Sequence, residues 1–210
     1  MRTDYDRYTV DIKNLKFKSD NNTVYPKTAI ITFFDEKNKK LAVEILGYQE
    51  NEDIYKKIDT GEPLILDQCY VRNFSLTEYR STRGLEKKSP VTIHSLRSSS
   101  AFYESKFGTD FSYARFEDGG VVFDETHFAY GPVSFNSVVF GDGDARFDHV
   151  YFREGVVDFG NVIFGSGLKK FNNSVFGNGK KDFQYCSFGP GEVSFADMIA
   201  DIKEGIYAKN

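Results

Sequence analysis

The chain has 210 residues, a mass of 23.9 kDa and a net charge of −4. That length suits one large domain or two small ones. A mean hydropathy of −0.45, with no run near the roughly 18 apolar residues of a membrane span, argues against a transmembrane helix. Phe occurs 21 times, Trp never and Met twice, so the apolar content is concentrated in one ring type, as a repeating core requires. Residues 1–100 carry 17 Lys+Arg against 15 Asp+Glu, whereas residues 101–210 carry 10 against 16, and 13 of the 18 glycines fall between 111 and 200. Charge and composition therefore shift together near residue 95, across a segment (81–100) rich in Ser, Lys and Arg. Met1 to Val10 is polar and holds no secretory h-region. Two widely separated cysteines, Cys69 and Cys186, form neither a disulfide framework nor a zinc motif. A reduced, cytoplasmic setting is the expectation.

The first 95 residues read mostly as strands. Thr9 to Lys18 alternates around Val10 and Ile12, then shifts to Leu15 and Phe17, which suggests a bulge. Ala29 to Phe34 and Leu41 to Leu46 flank the polar turn 35–40, a hairpin signal. Asn51 to Ile58 reads as a short helix stopped by Gly61. Pro63 to Leu76 and Val91 to Leu96 read as further strands. The order of three strands, a helix and two strands resembles an OB fold, a five-stranded barrel. The segment TFFDEKNKKLAVEILGYQENEDIYKKIDTGEPLILDQCYVRNFSL is similar to single-strand-binding OB modules; a generic small β-barrel or sandwich is the alternative. The resemblance implies stacking aromatics and phosphate-neutralising cations. Phe33, Tyr48, Tyr70 and Arg72 are the candidates, with Lys37, Lys39 and Lys40 on the turn. For Phe33 a core position competes with that role, and for the lysines a solvated hairpin.

From residue 111 the phenylalanines fall at 111, 116, 123, 128, 135, 140, 147, 152, 159, 164, 171, 176, 183, 188 and 195. The step is five then seven, without a slip. Gly119, Gly131, Gly143, Gly155, Gly167, Gly179 and Gly191 share one position of the twelve-residue unit, expected to supply a positive φ at a corner. A fixed short period is the signature of a solenoid. Within each unit a small or β-branched residue stands two before each Phe, as in Val121-x-Phe123 and Thr126-x-Phe128, so each pair points inward from one short strand. Segments such as VVFDETHF, VSFNSVVFG and VDFGNVIFG resemble the pentapeptide-repeat family. That resemblance implies a right-handed, four-sided β-helix, here with a two-residue insert after every second pentapeptide. Twelve residues could close a two-sided coil and 24 a four-sided one. Packing of four rings per turn favours 24, whereas the alternating charges of Arg146, Asp158, Lys170 and Asp182 would stack better at 12.

The tail places Phe195, Ile199, Ile202 and Ile206 at helical spacing, as a cap over the last coil or a dimer contact, the latter implied by the family resemblance. His127 and His149 read as outward repeat positions and His94 as part of a late strand. No glycine loop, nucleophile–base pair or ligand cluster signals catalysis, and no cofactor or metal is expected. The resulting expectation is a mainly β chain: an OB-like barrel over 1–95, a solenoid over 96–200 and a helical cap over 201–210. Its function would be non-catalytic protein–protein interaction with an unidentified partner, and a homodimer through the C-terminal end is a candidate. Nucleic-acid binding by the first domain is the alternative, with no membrane partner. The family resemblance also implies topoisomerase binding by DNA mimicry, but four coils, spanning about 19 Å, are short for that role.

Overall fold

The computed structural model describes residues 3–200. The chain opens with strands β1 (Arg7–Lys13), β2 (Phe17–Lys18), β3 (Val24–Tyr25), β4 (Lys27–Phe34) and β5 (Lys40–Tyr48), then helix α1 (Asn51–Thr60). Strands β6 (Leu64–Ile65) and β7 (Cys69–Arg72), helix α2 (Leu76–Thr82), and strands β8 (Val91–Ile93), β9 (Leu96–Arg97) and β10 (Phe102–Glu104) follow. Local chemistry sets these limits. Asp35 closes the β4–β5 hairpin by accepting the backbone N–H groups of Lys37 and Lys39, and Asn38 takes a positive φ there. Gly61 ends α1 in the left-handed conformation, and Ser75 caps α2 by accepting the N–H of Glu78. The expected long strand from Pro63 to Leu76 is instead two short strands, turned at Gln68 and Asn73, both at positive φ.

Beyond β10 the backbone repeats two- to four-residue strands to Ile199–Ala200. Pairing is parallel, and from Thr109 onward each downstream partner lies two repeat units further along: Phe116 with Phe140, Phe140 with Phe164 and Phe164 with Phe188. The strands of a coil fall into four sheets, so the shaft has four sides and takes two repeat units per turn. The larger of the two coil sizes is therefore the one formed. Like charges do stack as a result, with Arg146 beside Lys170 and Asp158 beside Asp182. Asn136 and the Gly160 N–H hydrogen-bond Asp158, which spreads the charge it brings to that rung.

The phenylalanines form four columns inside the shaft. Phe123, Phe147, Phe171 and Phe195 stack at centroid separations of 5.2, 4.8 and 5.3 Å. The column through Phe111, Phe135, Phe159 and Phe183 is prolonged upward by Phe74, 4.8 Å from Phe111. Phe116, Phe140, Phe164 and Phe188 make the third, and Phe128, Phe152 and Phe176 the fourth, headed by Tyr103. Rings of adjacent columns meet edge to face, as Phe147 and Phe159 do at 78°. Both geometries suit the ring quadrupole, each contact contributing about 0.5–1.5 kcal/mol beyond area burial.

The glycine position serves two purposes. Gly131, Gly155, Gly179 and Gly191 have positive φ, but Gly119, Gly143 and Gly167 do not. At those three the constraint is close approach: a Cβ on Gly143 would lie 2.4 Å from the Gly120 nitrogen. The left-handed residue that recurs in every unit is elsewhere, two after the first Phe. It is Tyr113, Glu125, Ser137, His149, Asn161, Asn173, Tyr185 and Asp197, all between φ 52° and 60°. Each stands third in a turn, closed by a bond such as Thr126 N–H to Phe123 C=O in all but the His149 turn, where the Val150 N–H donates to Ser174 Oγ instead.

The N-terminal strands do not close into an OB barrel. β1, β4 and β5 are antiparallel, but β5 next pairs in parallel with β7, and β7 with β10. The barrel-closing edge is thus spent on the shaft, and one nine-stranded sheet runs from β1 through β10 to Ile199–Ala200. Pairing does not stop at residue 95: β6 pairs with β9, and β8 with Ala114–Phe116. Leu64 and Leu96 lie further apart in sequence than the partners of later coils because α2 is inserted in that first turn. Ile54, Tyr55 and Ile58 of α1 and Leu76 and Tyr79 of α2 join the shaft core through Leu64, Val71 and Phe74. A second core lies on the outer side of the same sheet, where Tyr5, Ile31, Phe33 and Leu46 cover Tyr70, Phe102 and Ala129. At the far end Ile199–Ala200 is a strand, not helix, and the expected cap over 201–210 lies outside the described residues.

Candidate functional site

The surface offers two built regions: the junction where the N-terminal sheet covers one side of the shaft, and the corners of the coils. At the junction the strands at His127–Tyr130 and Tyr151–Glu154 are four residues long, which gives this side of the shaft more breadth than the two-residue strands elsewhere. His127 points out of the coil, as its repeat position dictates, yet it is buried because the N-terminal strands lie on it. Its ring stacks on Phe102 at 5.0 Å, and its Nε2 lies 2.9 Å from the Tyr5 hydroxyl. Burial pushes its pKa down to about 3, with the Arg153 cation adding to the effect. Arg153 places its guanidinium over the Tyr5 ring at 3.8 Å and donates to the Tyr5 carbonyl at 2.5 Å. The segment 5–6 is thereby strapped to the coil that carries Tyr151–Glu154.

Beside it, Tyr48 and Tyr70 are register partners with ring centroids 5.8 Å apart. Tyr70 donates to Glu104 at 2.6 Å and Tyr48 to Glu50 at 2.7 Å, and Lys27 pairs with Glu50 at 2.8 Å. Burial and these carboxylates hold both phenols protonated, above the ordinary range. Of the nucleic-acid candidates, then, Tyr48, Tyr70 and Arg72 come together, with acids on both hydroxyls. Phe33 is fully buried in the second core. Lys37, Lys39 and Lys40 sit at the opposite end of β5, roughly 25 Å from Tyr48 by strand rise.

The corners explain the acidic repeat. Asp118 Oδ1 accepts the N–H of Asp142, and Asp142 Oδ1 that of Ser166. Along another corner Asp124 accepts from Asp148, Asp148 from Asn172 and Asn172 from Ala196. Each acceptor serves the equivalent residue one coil later, so the side chain satisfies a backbone donor that a corner leaves without a strand partner. The bonds from Ser166 hold the Asp142 carboxyl below the ordinary range. Burial pushes Asp124 upward, against the opposing pull of the paired Arg146. Asp124 and Asp148 stand one coil apart, and their oxygens serve backbone donors and Arg146. Among the described residues no group of three or more His, Cys, Asp or Glu is placed to hold a metal ion.

The core phenylalanines from 111 to 176 are buried, Phe183 and Phe188 are partly so, and Phe195 is 41% exposed at the last coil. His94 is an exposed partner of Glu117 at 2.7 Å, and His149 is one of the left-handed corner residues. Sequence reading passed over Tyr5 and Arg153. The repeat step is the same in every unit and carries no signal of them; only the structure shows that HFAY, YFRE and VFGN continue as strand after the second Phe. Sequence reading also passed over Lys169, which takes an inward Val or Ala position and is buried, donating to the carbonyls of Gly189 and Pro190. No helix among the described residues is long and apolar enough to cross a membrane. No family model matches the chain, and no curated protein or solved structure matches it.

Proposed function

We propose that this chain is a non-catalytic scaffold of the pentapeptide-repeat type, whose shaft displays outward side chains to another protein. The observation that carries this reading is the constant register from coil to coil from Thr109 onward. It sets Arg115, Val139 and Ile163 in one row at the strand spacing of about 4.8 Å, with a half-exposed apolar step at Ile163. Rows fixed by sheet pairing and aromatic stacking lose little entropy on binding, which favours recognition by a rigid surface. The acidic residues give less support to DNA mimicry, since the corner carboxylates serve the shaft's own backbone. The N-terminal alternative, single-strand binding, has the Tyr48–Tyr70 pair in its favour and Glu50 and Glu104 against it.

The test is affinity capture with the natural chain and with Ile163→Arg, after both are shown to melt alike. A partner retained by the first and lost by the second supports the reading. A partner set unchanged by charge reversals on each uncovered side in turn would overturn it.

A further inference from the structure

The nine-stranded sheet ends on β1, whose seven residues pair with β4 without a register shift. No other described strand pairs with its opposite edge. Edges of that length are ordinarily blunted by proline, a bulge or charged side chains, inward-pointing ones above all. β1 has no proline, bulge or inward charge, and its three charges on the outward face are of both signs. Its inward residues Tyr8, Val10 and Ile12 are apolar and only partly buried, and its outward residues are Arg7, Thr9, Asp11 and Lys13.

We propose that this edge is completed by β1 of a second copy, antiparallel about a two-fold axis that sets Thr9 opposite Thr9. This surface is separate from both the shaft rows and the C-terminal end. Charge selects the register. With Thr9 on the axis, Arg7 of each copy faces Asp11 of the other, so two opposite-charge pairs form. Moving the axis to Val10 sets Arg7 against Lys13 twice. A one-residue slip sets outward residues against inward ones and exposes Val10 and Ile12. Both groups are engaged only in exposed contacts. Asp11 pairs with Lys13 at 2.6 Å, a kind of pair worth little. Arg7 lies across Phe34 at 4.0 Å on the same outward face and donates its Nε to Asn38 Oδ1 at 2.6 Å, an exposed bond that a facing carboxylate would have to join or displace. Pairing would also bury more of Val10 and Ile12 and convert the open backbone donors and acceptors of β1 into ladder bonds.

Sedimentation velocity on the full chain, from low to high micromolar concentration, tests this. The expected result is a reversible monomer–dimer equilibrium. Arg7→Asp and Asp11→Arg should each weaken it by roughly tenfold, and the double exchange should restore it. All three variants change exposed side chains, and matching thermal melts would show that folding is intact. A natural chain that stays monomeric throughout overturns the proposal. So does a dimer indifferent to both single variants, which would place the contact elsewhere, the C-terminal end included.

Discussion

The carboxylate of Asp148 accepts the backbone N–H of Asn172 at 3.0 Å, one full coil further along the chain. A corner N–H that would otherwise need water is bonded by the coil before it. Asp148→Ala should therefore cost about 1 kcal/mol in urea unfolding, the usual worth of such a capping bond, and Asp148→Asn, which keeps an acceptor, should cost less. Equal losses for the two would mean that charge, not the bond, matters at this corner.

Ring position along the shaft should grade the cost of truncation. Phe147 is buried between Phe123 and Phe171, whereas Phe195 ends its column and is 41% exposed. Phe147→Ala should cost about 3–5 kcal/mol, and Phe195→Ala only a fraction of that. Thermal melts of the two variants, side by side, read the difference.

Acid should destabilise the fold through two groups, one a carboxylate and one an imidazole, both with lowered folded pKa values. The Asp142 pKa is lowered in the folded chain, so its contribution is present above the ordinary aspartate value of about 3.9 and is lost as pH falls through the lower, folded value. Asp142→Asn should flatten only that most acidic limb.

His127 acts at milder pH. With its folded pKa near 3, the unfolded chain binds the extra proton below about 6.5, so stability falls between those values by up to about 1.4 kcal/mol per pH unit. His127→Phe should remove that slope. Denaturant titrations across the window, for the natural chain and this variant, would show whether the two curves diverge.

Backbone handedness gives an opposite-signed prediction. Tyr185 holds φ 60° at a corner and is 82% exposed, so its ring contributes little to set against the left-handed backbone. Tyr185→Gly should be neutral or stabilising by up to about 1 kcal/mol. Gly143→Ala should destabilise at ordinary φ, because its Cβ would meet Gly120 and Asp118 backbone atoms within 2.6 Å. Melting temperatures of the pair should move in opposite directions, or the first not at all.

The shaft was legible because its core uses one residue type at one step, and period-two inference then placed inward and outward side chains. The first coil was not. There and in the next coil Leu64, Leu96 and Tyr103 stand where later coils have Val, Ala, Lys or Phe, and α2 stretches the spacing of the paired strands beyond that of any later coil. The barrel expectation failed because strand order alone cannot say whether β7 closes a roll or begins a coil; that depends on β10, which lies in the following segment. The two residues after the first Phe, such as Asp124-Glu125 and Asn136-Ser137, read as a turn from sequence, but positive φ is expected at the repeat glycine, because Tyr113, Glu125 and His149 are not left-handed residues by type. His127 was placed outward correctly in repeat terms, yet its burial comes from strands far upstream in sequence.

The strap between Tyr5 and Arg153 reaches no further than the Tyr151–Glu154 strand, and among the described residues downstream of Glu154 the sheet ladders join each coil only to its neighbours. Duplicating one whole coil there would leave the N-terminal roll and its strap unchanged while lengthening the shaft by about 4.8 Å. The architecture is in that sense a gauge. Its reach is set in whole coils, so length can change without altering the packing of the N-terminal roll.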